Sequence, residues 1–282
     1  MNLPPANWRL IISPPASGAW NMAVDESILL GMESKPAIPT LRFYAWTPPC
    51  LSLGYAQPAT DVDLDPLAAT GWHLVRRPTG GRAILHTDEL TYSVIAPEDE
   101  PRLSGGVLES YQRLSQALLA GLSYLGVRAE SIPTPNPPSG SLNGAHLASK
   151  NPVCFEAPSN YEITANGKKL IGSAQARKKQ VVLQHGSIPL YGNLTRIVQV
   201  LHFDSESERL EAAHRLLQRA TTIQEILSQP ISWSQAATAF KEGFKTTLNL
   251  KFSEAELMPA ELAQANRLLE EKYAADSWTY RV

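Results

Sequence analysis

NPVCFEAPSNYEITANGKKLIGSAQARKKQVVLQHGSI, residues 151–188, is the stretch around which the rest of the chain organises. Asn166-Gly167 falls between two runs of alternating apolar and polar residues, 161–165 and 168–174. Both turn positions accept positive φ, so the pair predicts a two-residue β-hairpin whose second strand opens with Lys168 and Lys169. Neighbouring strand residues point to opposite faces, so one of the two lysines faces inward. Cys154 lies just upstream, where the hairpin can carry it back against the lysine-bearing strand. A nearby ammonium would there favour thiolate over thiol, which makes Cys154 a candidate nucleophile. The competing reading is packing, because free cysteines are among the most buried residues. Residues 155–159, Phe-Glu-Ala-Pro-Ser, have the polar, proline-bearing character of a loop, and loops on rigid scaffolds carry function. Cys50, between Pro48-Pro49 and the apolar Leu51-Ser52-Leu53, reads as packing.

The chain has 282 residues, 43% of them hydrophobic, enough for one large domain or a domain with an appendage. Basic and acidic residues nearly balance, 25 against 27, which argues against a nucleic-acid-binding protein. Two cysteines at unrelated positions form neither a disulfide framework nor a zinc pattern, and six scattered histidines lack ligand spacing, so no metal is expected. No run of about 18 apolar residues and no leader-like N-terminus is present. A soluble, cytoplasmic protein without membrane association is the expectation.

Residues 10–12 read as a strand, and Ser17 caps a helix with Trp20, Ala23, Val24, Ile28 and Gly31 at helical spacing. Further strands are expected at 40–46, 51–55, 73–77, 83–86, 90–96 and 181–188, as parts of one sheet. Apolar residues from Val107 to Leu125 recur at helical spacing and Gly126 supplies the C-terminal cap. The proline- and glycine-rich connection 131–150 is long for a structureless loop and is expected to be functional or mobile. From about residue 194 the character turns helical, with capping-box patterns opening at Thr222, Ser232 and Ser253. Strands and helices mix without regular alternation, so the fold class is α+β, with a catalytic domain over 1–228 and a small helical extension over 229–282.

A second motif, RRPTGGRAILH at 76–86, joins two strands through a diglycine. Glycines let a backbone approach a ligand, and the arginines suit phosphate or carboxylate groups. A tight turn built on glycine for steric reasons alone is the equal alternative. Taken with PVCFEAPSNYEI and GKKLIGSAQ, and with LRFYAWTPPCLSLGY at 41–55, the motif resembles the lipoate–protein ligase and octanoyltransferase family, and within it the LipM-type octanoyltransferases.

That resemblance implies a mixed-sheet domain similar to the biotin and lipoate protein ligase catalytic fold and to class II aminoacyl-tRNA synthetase cores. It implies an acyl cleft bordered by the RRPTGGR loop and the KKLIGSA strand, with Arg77, Gly80, Gly81, His86, Gly172 and Ser173 binding substrate. Cys154 matches the acyl-thioester cysteine and Lys169 the lysine shared by ligases and transferases, here expected to lower the cysteine pKa. The implied donor is octanoyl-acyl carrier protein and the implied acceptor an apo lipoyl domain, such as glycine cleavage H protein, with no cofactor and no ATP. An ATP-dependent lipoate ligase, an amidotransferase between lipoyl domains, and a non-enzymatic binding module are the alternatives. Residues 151–187 carry five basic residues against two acidic ones, a patch that either steers acidic partners or is a solvated turn.

Overall fold

The computed structural model describes residues 3–33, 37–133 and 161–282. Cys154, and the 131–150 connection beyond residue 133, lie outside the described residues. The strands are β1 (Ala6–Ile12), β2 (Thr40–Tyr44), β3 (Cys50–Leu53), β4 (His73–Arg76), β5 (Ile84–His86), β6 (Glu89–Pro97), β7 (Glu130–Pro133), β8 (Tyr161–Ala165), β9 (Lys168–Lys178), β10 (Val181–Pro189) and β11 (Leu250–Glu254). The helices are α1 (Gly18–Gly31), α2 (Leu64–Thr70), α3 (Val107–Tyr124), α4 (Glu206–Arg219), α5 (Ile223–Leu227), α6 (Trp233–Thr247), α7 (Pro259–Leu268) and α8 (Asp276–Thr279).

Eight strands form the main sheet in the order β11-β1-β2-β6-β10-β9-β8-β7. The Asn166-Gly167 turn has φ 51° and 74°, and it sets β8 and β9 antiparallel as their sequence predicts. A second tight turn, with Lys179 and Gln180 at φ 53° and 62°, returns the chain along β10. Strict alternation then sorts the two faces. Leu41, Phe43, Leu90, Tyr92 and Val94 point into a core closed by Leu114 and Leu118 of α3 and Phe240 and Phe244 of α6. Ile11, Ile95 and Leu183 point the other way, against Val24, Ile28 and Leu29 of α1 and Ala265 of α7. The helices α3 and α6 meet at glycines: a Cβ on Gly243 would lie 2.4 Å from the Gly121 nitrogen.

The caps at Ser17, Thr222 and Ser232 are present, and Gly126 follows α3 at φ 82°. Two expectations fail. The strands expected at 51–55, 73–77 and 83–86 leave the main sheet and form a three-stranded one, β4-β3-β5, over a core of Leu51, Leu53, Val62, Ile84 and Leu216. Apolar alternation marks a strand but does not name its neighbour, and β3 and β4 are a parallel pair that needs the crossover helix α2 between them. Ser253 is no cap, because it lies inside β11, which pairs parallel with β1 through Trp8 and Phe252. Residues 229–282 thus supply a strand as well as helices, and Phe240, Phe244, Leu248 and Leu250 share one core with Phe43 and Tyr92. Among the described residues no helix is long and apolar enough to cross a membrane.

Candidate active site

Where the small sheet leans on β9 and β10, the structure holds a cavity of about 350 Å³. Arg77, Gly80, Gly81, His86, Gly172 and Ser173 all line it, so every residue assigned to substrate binding from the sequence meets there. Met22, Tyr44, Trp46 and Ile84 make its inner wall apolar, and Gly80, Gly81 and Val107, all exposed, mark its mouth.

The loop after β4 is held from within. Arg77 donates to the carbonyls of Ser52, Gly80 and Arg82 and to the Ser52 hydroxyl. Arg76, fully buried, donates to the carbonyls of Gly54, Tyr55, Gln57 and Thr279, while Trp278 Nε1 donates back to the Arg76 carbonyl. Most of the donors of Arg76 and Arg77 thus organise the backbone that makes the cavity wall, while Arg77 and Arg82 also line the cavity. The diglycine has two distinct reasons. Gly81 sits at φ 94°, where L side chains are strained, and a Cβ on the facing Gly54 would lie 1.9 Å from the Gly81 carbonyl oxygen. Gly80 has open space around it.

Two carboxylate–imidazole–hydroxyl chains stand beside the cavity. In the first, His86 Nδ1 is 2.8 Å from Glu89 Oε1 and Nε2 is 2.8 Å from Ser52 Oγ, with the ring stacked on Trp46 at 3.9 Å. Burial alone would raise the Glu89 pKa, yet His86 and the hydroxyls of Ser187 and Thr91 hold it below the ordinary carboxylate value. In the second, His185 Nε2 is 2.6 Å from Thr79 Oγ1 and Nδ1 is 3.5 Å from Asp25 Oδ2. Asp25, on the sheet-facing side of α1, also takes Arg42 at 2.7 Å and the hydroxyls of Tyr44 and Ser93. Burial lowers the His185 pKa against the pull of Asp25. On the opposite side, Tyr92 donates or accepts with Ser173 Oγ at 2.8 Å, and burial pushes its pKa up to about 12. Sequence reasoning missed Ser52, Glu89, Asp25 and His185; the H-x-x-E spacing of 86–89 was the one signal available, since Ser52 and His185 read as ordinary strand residues.

Lys169 is buried three residues before Gly172 on β9, its Nζ 2.8 Å from Glu162 Oε1 on β8. Lys168 is the more exposed member of the pair, its Nζ on the Leu217 carbonyl. The register slips here, Thr164 facing Lys169 while Ile163 faces Ile171, so β9 carries an extra residue at Leu170. Such a bulge re-aims side chains, and both Leu170 and Ile171 enter the core. The basic patch is tied down as well: Lys178 pairs with Glu26, Lys179 with Glu33, and Arg177 donates to the carbonyls of Gly105 and Gly106. Among the described residues no group of His, Cys, Asp and Glu is arranged to hold a metal ion.

Residues 17–245 match the family model of the lipoyl protein ligase A/B catalytic domain. The octanoyltransferase LipM of Brevibacillus brevis is 41% identical over 97% of this chain and 99% of its own, and that of Symbiobacterium thermophilum is 42% identical over 98% of each. The chain belongs to the LipM octanoyltransferase family. Membership of the LipM family makes it an acyltransferase, as the sequence resemblance implied. Among solved structures, a bi-partite lipoate protein ligase from Thermoplasma acidophilum is similar at a TM-score of 0.79 and 25% identity, covering 97% of this chain and 96% of that one. This chain and that ligase therefore share the α+β scaffold described above.

Proposed function

We propose that this acyltransferase takes an octanoyl group from octanoyl-acyl carrier protein onto Cys154 and passes it to a lysine of an apo lipoyl domain, in the cytoplasm, as a step of lipoate biosynthesis. One observation carries the reading. The RRPTGGR loop and the Gly172-Ser173 segment of β9 meet around one apolar-walled cavity, in a chain that matches LipM octanoyltransferases over nearly its whole length. A cavity of this size suits a small ligand. Burying about seven apolar carbons at ~0.8 kcal/mol each contributes on the order of 5 kcal/mol to holding the chain.

The chemistry follows from the donor. The Cys154 thiolate attacks the thioester carbonyl, a new C–S bond forms, and the phosphopantetheine sulfur leaves and takes up a proton. The acceptor amine then attacks the enzyme thioester, a C–N bond forms, the C–S bond breaks, and Cys154 is regenerated. A thioester is already activated, so no nucleotide enters. An ordinary thiol, with pKa ~8.5, is only a few per cent ionised at neutral pH, and bringing it to about 7 takes roughly 2 kcal/mol of preferential thiolate stabilisation. Lys169 is assigned that task.

Intact mass after incubation with octanoyl-acyl carrier protein tests the reading. One hydroxylamine-labile octanoyl adduct should form on the wild type and none on Cys154→Ala. An adduct that survives in the variant, or exchange of pyrophosphate into ATP driven by free octanoate, would put an ATP-dependent ligase in its place.

A further inference from the structure

Transfer to a lysine has a requirement that thioester formation lacks. The amine nitrogen that attacks carries protons it must lose as the amide forms, and they need a proximate acceptor. The Ser52–His86–Glu89 chain has the right order for it. Ser52 and His86 both line the cavity, whereas Glu89 lies behind them. Glu89 as a carboxylate can only accept, so in the neutral imidazole the geometry places the proton on His86 Nδ1 and leaves Nε2 to accept from the Ser52 hydroxyl. The hydroxyl oxygen has two lone pairs, and one of them takes Arg77 Nη1 at 3.1 Å. Among the described residues no other donor meets that oxygen, which leaves the second lone pair for an incoming N–H. The stack of the ring on Trp46, whose Nε1 donates 2.7 Å to Thr91 Oγ1, fixes the imidazole plane.

We propose that Ser52 and His86 form the proton acceptor for the amine-transfer half of the reaction, with Glu89 as the residue that positions the imidazole. As the C–N bond forms, an N–H proton of the amine passes to Ser52 Oγ and the Ser52 proton passes to His86 Nε2. The C–S bond breaks, the thiolate of Cys154 leaves, and the imidazolium gives its proton up to solvent, from which the thiolate takes one. The second chain is less suited. The Thr79 hydroxyl does not reach the cavity wall, and Asp25 behind His185 is already taken by Arg42, Tyr44 and Ser93.

The proposal rests on the thioester reading above, and the two fail separately. Adduct formation tests the thioester; discharge of a preformed adduct tests the relay. The octanoyl enzyme should be prepared as wild type, Ser52→Ala, His86→Gln and Glu89→Gln, and discharged by a small alkylamine and, in parallel, by hydroxylamine. Alkylamine discharge should fall about 100-fold in Ser52→Ala and His86→Gln and less in Glu89→Gln, the range expected for loss of a general base. Hydroxylamine, which is neutral and needs less help at pH 7, should discharge all four at closely similar rates. Both probes are too small to sense a disturbed lipoyl-domain surface. An equal fall for both amines would assign the chain a purely structural role, and unchanged alkylamine discharge in Ser52→Ala would remove Ser52 from the relay. Absence of any adduct on the wild type would instead overturn the thioester reading.

Discussion

At the scale of single residues, the two cysteines and the two glycines of the cavity loop separate chemistry from packing. Cys50 is fully buried against Trp46 and α1, and burial pushes its thiol far above the ordinary value. Iodoacetamide added to the native protein at pH 7.5 should therefore leave Cys50 unlabelled until the chain is denatured, and peptide mapping should find the native label at Cys154. Label on Cys50 in the native state would contradict the packing described here. Gly81→Ala places a side chain at φ 94° and should cost about 1–2 kcal/mol, seen as a lower Tm. Gly80→Ala has room for its methyl, so its Tm should hold while the mouth narrows and the rate of octanoyl adduct formation drops. Equal Tm losses would mean that both glycines serve the turn alone. The sequence motif named both glycines but could not divide their roles, because a positive φ is a property of the folded loop. Ser52 was illegible for a related reason: its importance comes from His86, 34 residues away, and from Arg77, which reaches it only once β3 and β4 have paired.

At the scale of elements, local signals read well and partners poorly. The caps at Ser17, Thr222 and Ser232, the Asn166-Gly167 turn and the apolar stripe of α3 are written within a few residues and are present, whereas the cap pattern at Ser253 falls inside β11. The split into two sheets and the bulge at Leu170 depend on contacts between distant strands and leave no mark in a single run of sequence. The α3–α6 crossing is another such contact. Gly121 and Gly243 allow the two backbones to touch, and a Cβ on Gly121 would come within 2.5 Å of the Phe240 ring. Gly243→Ala should push the helices apart and cost roughly 1–3 kcal/mol, the range for overpacking a closed core. Chemical denaturation should show a lower midpoint with an unchanged slope; a midpoint equal to wild type would mean the crossing is looser than the geometry states.

For the whole molecule, buried charge sets how stability responds to acid. Asp25, Glu26 and Glu89 are all buried, and for each the attraction of its partners outweighs burial and leaves its pKa below the ordinary carboxylate value. Their contribution is present above the unfolded carboxylate pKa of about 4 and disappears as pH falls through the lower folded values. His185 acts in the same direction from higher pH. Its folded pKa lies below the unfolded value near 6.5, so the unfolded chain binds the proton first and stability begins to decline below about pH 6.5. His202, raised by Asp63, runs the opposite way but is exposed and weighs little. Tm should be level near pH 7 to 8, fall gently from 6.5 and steeply below 4, and His185→Gln should flatten the gentle limb alone. A Tm that rises on acidification from pH 7 to 5 would contradict the assignment of His185. The C-terminal tie to Arg76 has a different consequence, one of timing. β1, made first, is edged by β11, and the Arg76 guanidinium meets the Thr279 carbonyl some 200 residues after it is synthesised. A chain emerging from the ribosome therefore carries the cavity loop long before the residues that steady it, and a nascent chain halted after residue 245 would hold the whole matched catalytic segment without the strand and the carbonyl that complete it.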